Sequence, residues 1–274
     1  MKPLTLTHPY FRMIGLLALG LIMSLALSGY QTQPPTVDDT AAGLDILAQL
    51  NEWRVGLGLS PLKPNETLHM MAVDQAAYLS VLTDIPSGNN MHIGRNGETL
   101  RERATRYHWP TYGEGGLAAI AEVGWVGKED TGIAFWKGSD IHRETITNPG
   151  FREVGVAAVP HPWGHVYIVV LGSRPDVLPA LADPHGGSLF LTQDTFKFGI
   201  GNVPPMHVRL FDTDGRPLNN GLPLDWAASI PIPAEAGGKV FVLYDDGSAQ
   251  SLAEVDLAQG QAILPGFVPL TANG

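Results

Sequence analysis

The hydrophobic residues of this chain keep two different periods, and the order in which they appear limits the folds open to it. In "LDILAQLNEWRVGLGLSPL", Leu44, Leu47, Leu50 and Trp53 or Arg54 recur at helical spacing until Gly56 and Gly58 stop the run. "KPNETLHMMAVDQAAYLSVL" sets Leu68, Met71 or Ala72, Gln75 or Ala76, and Leu79 on one face. Pro64 near its first turn and Glu66 at its positive end suit a helix start. Shorter helical patterns cover 98–107 and 130–137. From there "GLAAIAEVGWV", "REVGVAAVPH" and "GHVYIVVLG" are short apolar or alternating runs bounded by Gly and Pro, which predicts strands. Helices and strands interleaved over 44–174 predict an α+β domain with helices layered on a sheet.

After the proline-punctuated joint "SRPDVLPALADP" the composition shifts again. "SLFLTQDTF", "HVRLFDTDGRPL", "KVFVLYDDGSAQ" and "AEVDLAQGQAILPGF" alternate strand runs with turn residues, and no helical stripe follows. Residues 183–274 are therefore expected to form a small all-β, sandwich-like module. Asp212-Thr213-Asp214-Gly215 has the front of a calcium loop without the later acid, and reads as a hairpin turn.

At the other end, Lys2 and Arg12 precede an uncharged apolar run from Met13 to Leu27, and Ala26-Leu27-Ser28 offers a small-x-small cleavage site. Residues 1–28 read as a secretory signal peptide and 29–43 as a polar linker, placing the mature chain outside the cell or in the cell envelope. The run is shorter than the about 20 residues a bilayer span needs, so an uncleaved anchor is the minor reading, and no stable span is expected after signal cleavage. "LALSGY" has the shape of a bacterial lipobox, but Tyr30 stands where the lipid-bearing cysteine would. With 17 basic and 27 acidic residues the net charge is −10, and −12 once Lys2 and Arg12 are removed. Such a surface repels phosphate backbones, so nucleic acid is excluded as a partner. There is no cysteine, hence no disulfide framework and no thiolate chemistry.

Two of the nine histidines stand out by context. His92 lies in "NNMHIGRNGETLRERA", a loop leading to a helix, and His142 lies in "WKGSDIHRE", read as a turn between a helix and the next strand. Between them Glu122 interrupts the apolar strand "AIAEVGWVG". A buried acid is costly unless paired, and two imidazoles are natural partners.

Taken in order, these blocks resemble the CAP superfamily (SCP, or cysteine-rich secretory protein, antigen 5 and PR-1), and within it the bacterial secreted branch. The matching positions are Asn51, Arg54, Gly58, Leu59 and Leu62; His92, Gly97 and Arg103; Glu122 and Gly127; then Trp136, Ser139, His142, Arg143, Ile146, Gly155 and Val156. The resemblance spans about half the chain, 44–174. It implies an α–β–α sandwich with a cleft lined by two histidines and one or two glutamates, which in some members holds a divalent metal. Carried over, His92, Glu122 and His142 are the cleft residues and the metal-ligand candidates, with Glu114 of "YGEGG" as the alternate acid. The asparagine that follows the family's glutamate is absent here, where Val123 stands.

The residues leave the function open between classes. A His₂Glu set can bind zinc and activate water, although no close-spaced zinc motif is present. No nucleophile is apparent, since there is neither a cysteine nor a G-x-S-x-G elbow. Ser139 is read as a helix cap or turn-fixing residue, and Arg143 as a structural anchor. The first expectation is a recognition or envelope-associated role, the cleft binding a divalent ion (zinc or calcium) or a small-molecule, lipid or cell-surface ligand. The competing class is a protease-like envelope hydrolase using the same three residues; CAP domains as a family are not tied to one activity.

Overall fold

In the computed structural model the described residues are 38–110, 119–174, 177–183, 187–192, 207–245 and 250–258. The expected signal peptide, most of the expected linker and Glu114 lie outside them. The first helix, α1 (Thr40–Gly56), starts inside the expected linker because Asp39 caps it, its Oδ1 accepting from Ala42 N at 3.2 Å. A short strand β1 (Lys63–Pro64) leads into α2 (Glu66–Ser80), capped by Asn65, which accepts from Leu68 N at 3.2 Å. A 3-10 turn at Gly88–His92 precedes α3 (Leu100–Arg106), which opens on a reciprocal Thr99–Glu102 capping box. Then come β2 (Ala119–Gly127), α4 (Glu129–Gly138), α5 (Asp140–Ile146), β3 (Glu153–His161) and β4 (Gly164–Ser173).

These strands form one sheet in the order β1-β3-β4-β2, parallel between β1 and β3 and antiparallel elsewhere. Side chains alternate across it with the period of two that a strand requires. Val154, Val156, Ala158, Val169 and Leu171 pack with α1 and with Ile133, Trp136 and Ile146 of α4 and α5. Ala157, Val159, Val166, Ile168 and Val170 pack with α2 and with Ala104 of α3. The sequence reading of an α–β–α sandwich is what is observed. Helix α2 lies against β3 so closely that a Cβ on Gly155 would come within 2.0 Å of Leu68 and His69 backbone atoms. Glycine is therefore required there for contact rather than for conformation.

Past Ser173 the described residues hold only strands and one 3-10 turn. These are β5 (Ala180–Asp183), β6 (Ser188–Leu191), β7 (His207–Phe211), β8 (Leu224–Asp225), β9 (Ser229–Pro231), β10 (Lys239–Asp245) and β11 (Gln250–Asp256). They make two sheets, β11-β10-β7-β8 and β5-β6-β9, around a core that includes Leu189, Val208, Val240 and Val242. The first of these strands begins at Ala180, ahead of the expected boundary at 183. Asp212 Oδ1 accepts from the backbone of Asp214 at 2.9 Å and Arg216 at 2.8 Å, which is the expected turn. The β-rich part is joined closely to the sandwich: Leu181 and Phe190 pack into the α1-side core, and Ser60 Oγ donates to Leu191 O at 3.0 Å.

Candidate functional site

Strand β2 is the edge of the central sheet, and a groove of about 570 Å³ runs beside it. Its floor is Glu122–Val126; the 3-10 turn supplies Met91 and His92, and α4 and α5 supply Phe135, Ile141 and His142. The edge is not left bare, because fully buried Trp136 donates its Nε1 hydrogen to Gly124 O at 3.2 Å. All three predicted residues, His92, Glu122 and His142, line this one groove, 30 and 20 positions apart in sequence. His142 does not sit in a turn as expected. Ser139 ends α4 in an extended conformation and the chain re-enters a helix at Asp140, so His142 is carried on α5.

Glu122 is the centre of a hydrogen-bonded chain. Its Oε1 accepts from His92 Nδ1 at 2.9 Å, and its Oε2 is ion-paired with an NH2 hydrogen of Arg103. Arg103 and Glu122 side chains are both 1 % exposed, so the pair is dry. The Arg103 guanidinium also donates to Gln75 Oε1, and the Gln75 amide donates in turn to Met91 O at 2.7 Å and Ile93 O at 3.2 Å. Helix α2, through Gln75, thus holds the backbone on both sides of His92, while α3, through Arg103, holds the carboxylate that orients its ring. A carboxylate can only accept here, so His92 carries its hydrogen on Nδ1, and its Nε2 has no partner among the described residues.

His142 is anchored differently. Its Nδ1 lies 2.8 Å from Ser139 Oγ, and its ring packs on Phe135 with centroids 5.1 Å apart. Ser139 occupies the cap position of α5 without capping it; its hydroxyl goes to the imidazole instead. Burial, and secondarily the nearby His92, hold the His142 ring below the ordinary imidazole value, which favours its neutral form. Arg143 is an anchor as expected, donating to Lys137 O at 3.2 Å and pairing with Asp140 on the exposed face of α5.

The carboxylate counted among the candidate ligands for a divalent ion (zinc or calcium) is already engaged. Both Glu122 oxygens are engaged, by His92 and by Arg103, and the donors left over are imidazole nitrogens. Among the described residues no three His, Cys, Asp or Glu side chains are grouped so that they could hold a metal ion. Gln75 is the site residue that sequence reasoning missed, and Ser139, read as a cap or turn-fixing residue, instead bonds His142. The one available signal for Gln75 was an amide in the otherwise apolar inward stripe of α2.

What surrounds the two imidazoles is apolar. Of the eight large hydrophobic side chains left exposed among the described residues, Phe135, Ile141 and Trp163 all line this groove. Trp125 stacks beside Phe135 with centroids 5.0 Å apart, extending the aromatic wall.

An α–β–α sandwich whose sheet-edge groove gathers two histidines and a glutamate defines the class. Residues 47–171 match the CAP family, described as the cysteine-rich secretory protein family, and this part of the chain belongs to it. Several solved structures are similar. An outer surface protein of Borrelia burgdorferi is 19 % identical with a TM-score of 0.42, over 50 % of this chain and 96 % of that one. A cysteine-rich secretory protein of Staphylococcus aureus is 21 % identical with a TM-score of 0.37, over 52 % of this chain and 41 % of that one. An extracellular protein of Bacillus anthracis containing a SCP domain is 17 % identical with a TM-score of 0.36, over 48 % and 40 %. No curated protein matches this chain. No helix among the described residues is long and apolar enough to cross a membrane.

Proposed function

We propose that this chain is a secreted or envelope-associated recognition protein whose groove takes up a small apolar molecule or lipid. The observation that carries this reading is the gathering of Phe135, Ile141 and Trp163 around one concavity of about 570 Å³. Concave apolar sites with a few convergent polar groups are the usual form of a small-molecule site, and His92 and His142 supply the polar groups here. The N-terminal sequence, with Lys2 and Arg12 ahead of an uncharged apolar run, supports export. A hydrolytic role rests only on the His92–Glu122 pair, and Ser139, whose hydroxyl bonds His142, does not line the groove.

The test is Nile red, a neutral apolar fluorophore, titrated into the purified full chain. The wild type should bind it in an apolar environment, and an Ile141→Ser, Trp163→Ser double variant should bind at least about tenfold more weakly. Both side chains are largely exposed, so the melting temperature should hold. Equal binding by the two proteins, or none by the wild type, rejects the groove as the site.

A further inference from the structure

We propose that the groove selects a neutral, hydroxyl-bearing apolar molecule over one with an anionic, cationic or donor-free head. The inference rests on the reading of the groove as an apolar-ligand site and specifies the head group that site accepts. Two observations carry it, one about charge and one about hydrogen bonding.

Of the 17 described residues lining the groove none is Lys or Arg, and the only carboxylate among them is Glu122. The Arg103 guanidinium, which could have served an anion, is fully buried, does not line the groove, and is already bonded to Glu122 and Gln75. A carboxylate or phosphate head would therefore give up its water without gaining a countercharge. The Glu122 oxygens, both engaged, offer little to a cationic head. His142, held in its neutral form by burial, adds no positive charge.

Because His92 Nδ1 donates to Glu122, its Nε2 is left as an acceptor and calls for a donor on the ligand. Carboxylates, phosphodiesters, quaternary ammonium groups and ethers have none. His142 complements it: Ser139 can donate its hydroxyl hydrogen to Nδ1, which puts the ring hydrogen on Nε2. One face of the site then accepts and the other donates. A hydroxyl group can do both, with its hydrogen to His92 and its lone pair to His142. The Arg103–Glu122 pair thereby sets the head-group preference without touching the ligand, by fixing which His92 nitrogen carries the hydrogen.

The experiment is displacement of Nile red from the full chain at pH 8 by four probes sharing one alkyl chain: 1-octanol, its methyl ether, octanoate and octyltrimethylammonium. The ether is the decisive control, since it is neutral and more apolar than the alcohol. The expected result is that 1-octanol displaces the dye at a concentration at least about tenfold lower than any of the other three, the worth of about one hydrogen bond. In His92→Phe, and separately in His142→Phe, the advantage over the ether, each referred to that variant's own Nile red affinity, should shrink to about twofold or less. If the ether, octanoate or the ammonium probe displaces as well as the alcohol, or if the preference survives both substitutions, the head-group inference fails and the groove reading stands. Failure of Nile red to bind the wild type overturns the groove reading, and this inference with it.

Discussion

At the scale of single residues, the site depends on a buried ion pair more than on the two histidines that mark it. Arg103→Leu leaves Glu122 charged, dry and half-bonded, and should cost about 3–5 kcal/mol of stability by chemical denaturation. The Arg103→Leu, Glu122→Leu double variant should recover much of that loss, because no unpaired charge remains. His142 gives a pH dependence of known sign. Its pKa in the folded chain lies below 6.5, so the unfolded chain takes up the proton first as pH falls. The stability due to the neutral ring is complete above pH 6.5 and drains away as pH falls toward the folded value. A His142→Gln variant should lose less stability than wild type between pH 7 and the acid limb, measured by melting temperature against pH. The sequence pointed to Glu122 because it interrupts an apolar strand, and to His92 and His142 by their context and the family blocks they sit in. It gave no sign of the Arg103–Glu122 pairing, since Arg103 and Glu122 are 19 positions apart and meet only when α3 packs on β2. That pairing also bears on the metal expectation: ligand types can be read from a sequence, but whether an oxygen is already engaged cannot.

At the scale of elements, periods were legible and junctions were not. The stripes of α1 and α2 and the alternation of β3 and β4 follow from where apolar residues fall, and the sandwich follows from them. The helix α5 was read as a turn because its seven residues are too few to show a period, and Gly138-Ser139 just before it looks like a loop. Its existence matters, since it is α5 that turns His142 and Ile141 toward the groove wall. A close approach between layers falls at Gly155, where α2 crosses β3. Gly155→Ala should cost at least about 3 kcal/mol, because the atoms it strikes are backbone and cannot move aside as a side chain would. Gly138→Ala, with open space at its Cβ, serves as the control and should be nearly neutral.

At the scale of the whole molecule, the β-rich part does more than follow the sandwich in sequence. Leu181 and Phe190 fill the α1-side core, Arg152 NH1 donates to Val177 O at 3.0 Å, and Lys63 Nζ donates to Glu254 O at 2.5 Å. Residues 38–258 should therefore melt in one calorimetric transition rather than two. A shift in composition after Ser173 could be read from the sequence, but a shared core could not, because packing between distant segments leaves no local pattern. The same unit gives the most direct test of the site: the melting temperature of the full chain with 1-octanol and, separately, with zinc, each in excess. A ligand that binds only the folded chain must raise it. The groove described above predicts a rise with 1-octanol that is lost in the Ile141→Ser, Trp163→Ser variant, and no rise with zinc. A rise with zinc that disappears in His92→Ala, with none from 1-octanol, would contradict it.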